Sequence, residues 1–203
     1  LASGSPRRRQ LLQDAGVRFE VRTADVDESL EPDLQANPEE AVKKLAERKA
    51  GAVVQEVLAE DYTGLALILG ADTMVVLDGE IFGKPHSSSE AKGMLRKLSG
   101  RTHEVMTSVS VWAVMAPEIE KLSLGFRTFV EKSQVVFKDL SDAEIDAYLD
   151  EGESYDKAGA YAIQGKGAVL VDRYEGDYDT IVGLPVKRLL EEYPELCRSA
   201  CAR

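Results

Sequence analysis

The run Leu65-Ala66-Leu67-Ile68-Leu69 is unbroken apolar sequence ending at Gly70, and Thr73 to Leu77 resumes that character before Asp78-Gly79. Apolar runs of this length read as a strand covered on both faces. Asp-Gly is a two-residue hairpin signal, here leading into Glu80-Ile81-Phe82. A strand buried on both faces needs layers above and below it, and the rest of the chain must supply them. Helices are available. Arg7 to Ala15 reads as a helix closed by Gly16. Pro38 to Ala59 reads as a long amphipathic helix whose stripe carries Ala41, Val42, Leu45, Ala46, Ala50 and Val53. Ser87-Ser88-Ser89-Glu90 opens a helix that runs to Leu98 and stops at Gly100. Ser141-Asp142-Ala143-Glu144 is a capping box for a short helix ending near Gly152. Pro185 to Tyr193 reads as a terminal helix.

Further strands are expected at Phe19–Thr23, His103–Val114 and Gly125–Phe137, the last two joined by a hairpin around Pro117, and then at Ala168–Val171 and Asp179–Val182. Leu1 reads as the end of a strand, so a few residues are expected ahead of it. Asp25 to Asn37 is acidic and reads as a loop, as does the glycine-rich stretch Gly159 to Gly167. Helices alternating with strands, with hairpins in the middle, favour an α/β fold: a mixed twisted sheet with flanking helices. With 203 residues, 44% of them hydrophobic, and no repeat or linker, residues 1–203 are expected to form one domain.

The formal net charge of −11 opposes broad binding to nucleic acid, so no nucleic-acid partner is expected. It does not oppose a small nucleotide, which needs only a local basic pocket. No apolar run approaches the roughly 20 residues that cross a bilayer, so no membrane partner is expected. Cys197 and Cys201 lie one helical turn apart in the tail, which excludes a disulfide framework and points to a reducing, cytoplasmic compartment.

The opening run Leu1-Ala2-Ser3-Gly4-Ser5-Pro6-Arg7-Arg8-Arg9 concentrates the chemistry. Ser3 or Ser5 can cap the first helix, and Pro6 suits its first turn. Three guanidiniums there oppose the helix dipole, so they need another reason to be present, and a phosphate at the helix start supplies one. Asp72 follows the apolar run and a Gly-Ala step, at the expected carboxyl end of a buried strand. Ligands gather at such ends in open α/β sheets. A carboxylate there can bind a divalent cation or take a proton from water; an Asx turn ending the strand is the other reading. Lys84, between Gly83 and Pro85, sits on a stiff loop beyond the hairpin. Asp156 and Lys157 are adjacent and are expected to point opposite ways on an extended backbone. His103, one of two histidines, reads as structural.

Taken together, Ser3-Gly4-Ser5-Pro6-Arg7-Arg8, Gly70-Ala71-Asp72-Thr73, Gly83-Lys84-Pro85, Leu98-Ser99-Gly100-Arg101-Thr102-His103, Asp156 to Gly165 and Val182-Gly183-Leu184-Pro185 resemble, in order, the motifs of the Maf family of nucleoside triphosphate pyrophosphatases. The resemblance implies two lobes around a cleft, similar to the inosine triphosphatase fold. It implies Asp72 as proton acceptor and Glu28 with Asp72 as carboxylates for a divalent cation, Mg²⁺ or Mn²⁺. Ser3, Arg7, Lys49, Thr73, Lys84, Asp156, Lys157 and Gln164 become substrate-binding candidates, Lys49 through its Leu45-Ala46-Glu47-Arg48-Lys49-Ala50 match. Arg7, Thr73 and Gln164 match the branch acting on dTTP and UTP, whereas the 7-methyl-GTP branch carries Trp, Gln and Glu there. A neutral Gln amide can both donate to and accept from the O4/N3–H edge of uracil or thymine. Gly83 departs from the pyrimidine branch, many of whose members have Glu before the lysine, and resembles the other branch. The implied activity is hydrolysis to the nucleoside monophosphate and pyrophosphate, a cleansing of the nucleotide pool. The alternatives are action on 7-methyl-GTP or on modified pyrimidine triphosphates such as 5-methyl-UTP, or a non-catalytic nucleotide-binding regulator, since the family is associated with septum formation. The resemblance also admits a homodimer.

Overall fold

The computed structural model describes residues 1–60, 62–118 and 121–198. Helices α1 (Pro6–Asp14), α2 (Pro32–Gln35) and α3 (Pro38–Ala59) precede β1 (Gly64–Leu77) and β2 (Glu80–Phe82). Then come α4 (Ser88–Leu98), β3 (Thr102–Glu118), β4 (Lys121–Phe137), α5 (Asp142–Asp150), β5 (Val171–Glu175), α6 (Tyr178–Val182), α7 (Val186–Glu192) and α8 (Glu195–Arg198). The strands form one five-stranded sheet in the order β2-β1-β3-β4-β5. The α/β sheet with flanking helices is what forms, and every pairing in it is antiparallel.

β1 organises the packing. Its alternate residues face opposite layers, as the two-residue period of a strand requires. Ile68, Met74 and Val76 pack against α3 through Ala50, Val53, Val42 and Leu45. Leu69 and Ala71 face the other way, against Leu12 of α1 and Leu184 and Leu189 around α7. Further along that second face, Val75 and Leu77 meet Leu95 of α4 and Ile145 of α5. The hairpin turn has both central residues at positive φ, Asp78 at 52° and Gly79 at 83°, the geometry that an Asp-Gly pair favours.

Several local expectations change. β1 does not break at Gly70: it runs through Gly70-Ala71-Asp72 and stays in register with β3, Asp72 opposite Ser108. Asp72 is therefore inside a strand, not at its carboxyl end and not in an Asx turn. Glycine reads as punctuation in sequence, but here it serves a close helix contact described below. Residues 178–182 form a helix, not a strand, because the Asp177 side chain caps it by accepting from Thr180 N at 2.7 Å. Residues 165–170 form a 3₁₀ helix, and the expected strand begins only at Val171. Phe19–Thr23 makes no strand; an Arg22 N–H to Leu1 C=O bond at 3.0 Å and a bond from the Leu1 amino group to Glu20 C=O at 2.6 Å tie it to the opening residue, beside an Ala2 N–H to Leu69 C=O bond at 2.8 Å. The same holds for Leu1, which lies outside any ladder. The acidic loop contains the single turn α2. The turn expected at the end of the β3–β4 hairpin falls partly on residues 119 and 120, and the cysteine pair partly on Cys201, all outside the described residues.

His103 takes the structural place expected of it. It is buried, its Nε2 lies 2.7 Å from the Tyr161 hydroxyl, and its ring meets Phe137 and Tyr161 edge-on. Burial lowers its pKa from 6.5 to about 4. The unfolded chain thus takes up a proton near pH 6.5 that the folded chain refuses until about pH 4. The neutral ring's contribution is complete above pH 6.5 and is lost as pH falls toward 4. Between pH 7 and pH 5 the expected loss is about 2 kcal/mol. Denaturant titrations of the wild type and His103→Gln at both pH values check this: the variant should lose less stability over that interval, and equal losses would contradict it.

Candidate active site at the open edge of β1

β2 pairs only with Val75, Val76 and Leu77 of β1. Before Val75, that edge of β1 has no strand partner among the described residues, and the opening segment docks there through Ala2. A cleft of about 980 Å³ opens along this edge. Because it wraps around an edge, it collects side chains from both faces of the sheet. Asp72 enters from the α3 face, and Thr73, its neighbour, from the face covered by α1. Ser3, Arg7, Glu28, Lys49, Lys84, Asp156, Lys157 and Gln164 line the same cleft.

On the α3 face the contacts are ionic. Asp72 is buried, 8% exposed, and the Lys49 ammonium donates to its Oδ1 at 2.6 Å. The same ammonium lies 2.6 Å from Glu28 Oε1, and Lys84 Nζ lies 3.6 Å from Glu28 Oε2. Burial pushes the Glu28 carboxyl up, but the hydrogen bond and charge of Lys49, with Lys84 behind it, outweigh that and hold the group below the usual carboxylate range. Gly70 brings this about. A Cβ there would lie 2.5 Å from the Ala46 carbonyl oxygen and 2.7 Å from the Ala50 nitrogen, so only glycine lets α3 lie this close to β1. Lys49, one residue before Ala50, then reaches Asp72, two residues beyond Gly70.

On the other face a buried guanidinium is fixed. Ser5 caps α1, accepting from Arg8 N at 3.4 Å. Arg8 then turns inward: Nε donates to Gly183 C=O at 2.8 Å, Nη1 to Ser3 Oγ at 3.2 Å and Nη2 to Thr73 Oγ1 at 2.9 Å. Thr73 is held in turn by Thr107 Oγ1 at 2.9 Å, which donates to Thr180 C=O at 2.7 Å. Burial lowers the Arg8 pKa and the nearby Asp72 charge opposes that, but an arginine remains charged in either case. The sequence reads Arg8 as one of three guanidiniums gathered for a phosphate; instead it is buried and bonded to the protein itself, which is a structural role. The triplet signals it, but its partners come from distant segments and no spacing announces them.

Arg7 stays at the mouth, 3.3 Å from Asp156 Oδ2. Asp156 Oδ1 accepts from Lys157 Nζ at 2.5 Å. The two neighbours therefore do not diverge as expected, because the backbone at Asp156 is a turn and not an extended strand. Burial raises the Asp156 carboxyl, and Lys157 and Arg7 outweigh it to hold the group low. Gly159, at a φ of 67° that favours glycine, donates to Gly83 C=O at 3.0 Å and so ties this loop to the one carrying Lys84. Gln164 is exposed at the cleft rim.

The profile of the family described as Maf-like protein matches residues 1–196. The chain belongs to that family. A curated relative in Bacillus thuringiensis subsp. konkukian (strain 97-27), named dTTP/UTP pyrophosphatase, is 45% identical over 192 residues, covering 95% of this chain and 92% of the relative. One of the same name in Geobacillus sp. (strain WCH70) is 45% identical over 196 residues, covering 97% and 96%. A solved structure, titled nucleoside-triphosphatase / dITP/XTP pyrophosphatase from Mycobacterium abscessus, covers 98% of this chain and 95% of its own, with a TM-score of 0.38 and 10% identity. That likeness is too slight to bear on the site. In this Maf-like chain the residues fit a divalent cation in one respect: Glu28 and Asp72 each place an oxygen 2.6 Å from one shared point, the Lys49 nitrogen. No group of three or more His, Cys, Asp or Glu converges for a metal among the described residues. Further ligands would have to be phosphate oxygens and water. No helix among the described residues is long and apolar enough to cross a membrane.

Gly70→Ala should lift α3 off β1. The clash is with backbone atoms, so neither partner can rotate away, and the expected loss is about 1–3 kcal/mol of stability. A denaturant titration measures it, and a neutral substitution would contradict the close contact.

Proposed function

We propose that this protein hydrolyses dTTP and UTP between the α and β phosphates, releasing the nucleoside monophosphate and pyrophosphate. The single observation that carries the reading is the Lys49 ammonium poised between Asp72 and Glu28 inside a cleft that also presents Arg7 and Lys84. The relatives' printed names agree with it. Arg7, Lys49 and Lys84 bind the triphosphate and stabilise the charge that develops as the anhydride bond breaks. Asp72 accepts the proton of the attacking water, because it is a fixed carboxylate facing the cleft. Glu28 and Asp72 would hold a divalent ion, Mg²⁺ in our reading, which shields the phosphates and acidifies a bound water. Arg8 keeps Ser3 and Thr73 in place and leaves Arg7 free for substrate. Asp156 and Lys157 pair at the mouth, where Asp156 orients Arg7. Gln164 reads the pyrimidine edge from the rim. No covalent nucleophile is assigned, since Ser3 is already engaged with Arg8. We read residues 1–203 as one catalytic unit.

Pyrophosphate release from dTTP, UTP, CTP and 7-methyl-GTP, with and without Mg²⁺, tests the reading. The wild type should prefer dTTP and UTP and require the metal; release from 7-methyl-GTP alone would overturn the assigned substrate. Asp72→Asn should fold and lose turnover by about 10²–10⁴-fold, the usual range for a missing general base. Gln164→Glu should reduce kcat/KM for dTTP by about tenfold, the worth of one mismatched hydrogen bond.

A further inference from the structure

The Lys49 ammonium occupies the position that the two carboxylates define. It lies 2.6 Å from an oxygen of each, while Lys84 attends the remaining Glu28 oxygen at 3.6 Å. A divalent ion the size of Mg²⁺ needs those same oxygens at about 2.0–2.1 Å. An ammonium and a metal cannot share that space, and two like charges there would repel strongly. Lys49 has somewhere else to go. Its four-carbon stem is rooted on α3, its side chain is 16% exposed, and it faces the cleft whose mouth carries Arg7 and Lys84. A triphosphate entering that mouth brings anionic oxygens within reach of the ammonium.

We propose that Lys49 is an internal counter-ion: it holds Glu28 and Asp72 in the free protein and moves to the phosphates when a triphosphate binds, which makes divalent metal binding depend on the nucleotide. The proposal rests on the reading of the cleft as a triphosphate site. Its energetic basis is charge pairing. Asp72 is buried, and a buried carboxylate stripped of its partner is strongly unfavourable. Metal alone would expel the ammonium into the cleft with no new anion to meet. Triphosphate alone would draw the ammonium away and leave Asp72 unpaired. When both arrive, every charge finds a partner, so each ligand raises the affinity for the other by the same factor.

Mn²⁺ binding, followed by its electron paramagnetic resonance signal at pH 8, tests this with the full chain. The wild type should bind Mn²⁺ roughly tenfold more tightly with the α,β-imido analogue of dTTP than without it. Lys49→Met should bind Mn²⁺ without nucleotide roughly tenfold more tightly than the wild type, with the dependence on the analogue reduced to match. Adding Glu28→Gln to Lys49→Met should abolish that gain, which places it at this site. Equal Mn²⁺ affinity in the wild type with and without the analogue overturns the proposal, and this arm needs no variant to fold. So does a Lys49→Met protein that binds free Mn²⁺ no better than the wild type, or one that keeps the full dependence on the analogue, as a metal held through phosphates alone would. If the wild type does not bind the analogue at all, the substrate reading fails instead, and the two free proteins still decide whether Lys49 holds the metal's place.

Discussion

The contact of α3 with β1 at Gly70 governs the rest of the site. Close packing of a helix on a sheet is usually limited by side chains at the crossing point. Here the strand contributes none, and the helix backbone comes within van der Waals reach of the strand backbone. That distance lets a lysine on a helix reach a buried aspartate in the middle of a strand. The same approach seals Ile68, Met74 and Val76 under α3. Stability and the geometry of the cleft thus share one contact: the apolar residues on either side of Gly70 hold the helix down, and Lys49 and Asp72 meet as a consequence.

The second constraint is the short reach of β2. A longer β2 would have paired the whole edge of β1 and closed the cleft. Because it stops at Phe82, the edge before Val75 is left to the opening segment and to the cleft. An edge gives access to both faces at once, so consecutive residues of one strand can serve one cleft. Asp72 works on the anionic side with Lys49, and Thr73 on the other with Arg8. The arginine cluster divides accordingly. Arg8 serves structure, bonding Gly183, Ser3 and Thr73, and Arg7 remains at the mouth beside Asp156. A protein of formal charge −11 thereby keeps a locally basic entrance.

Much of this was legible in the sequence because it is written locally. The amphipathic stripe of α3, the capping box of α5 and the Asp-Gly hairpin depend on neighbours along the chain, and each forms where expected. Gly70 reads as a strand end because a glycine that ends a strand and one that admits a helix look the same in one dimension. The strand expected at Asp179–Val182 is a helix because so short a segment does not distinguish strand from helix by pattern, and the Asp177 cap decides it. The candidate site residues do gather in one cleft, but their pairings were not legible. Lys49 between Glu28 and Asp72, or Arg8 on Gly183, joins segments far apart in sequence, and only the packed sheet sets those distances.

The proposed chemistry needs one cleft to grip a triphosphate between its cations and its carboxylates. A crystal structure with Mg²⁺ and the α,β-imido analogue of dTTP tests that most directly. The phosphates should lie within hydrogen-bonding distance of Arg7, Lys49 and Lys84, with the pyrimidine edge on Gln164 and Lys49 drawn away from Asp72. A nucleotide bound elsewhere, or one whose phosphates point away from β1 toward solvent, would contradict it.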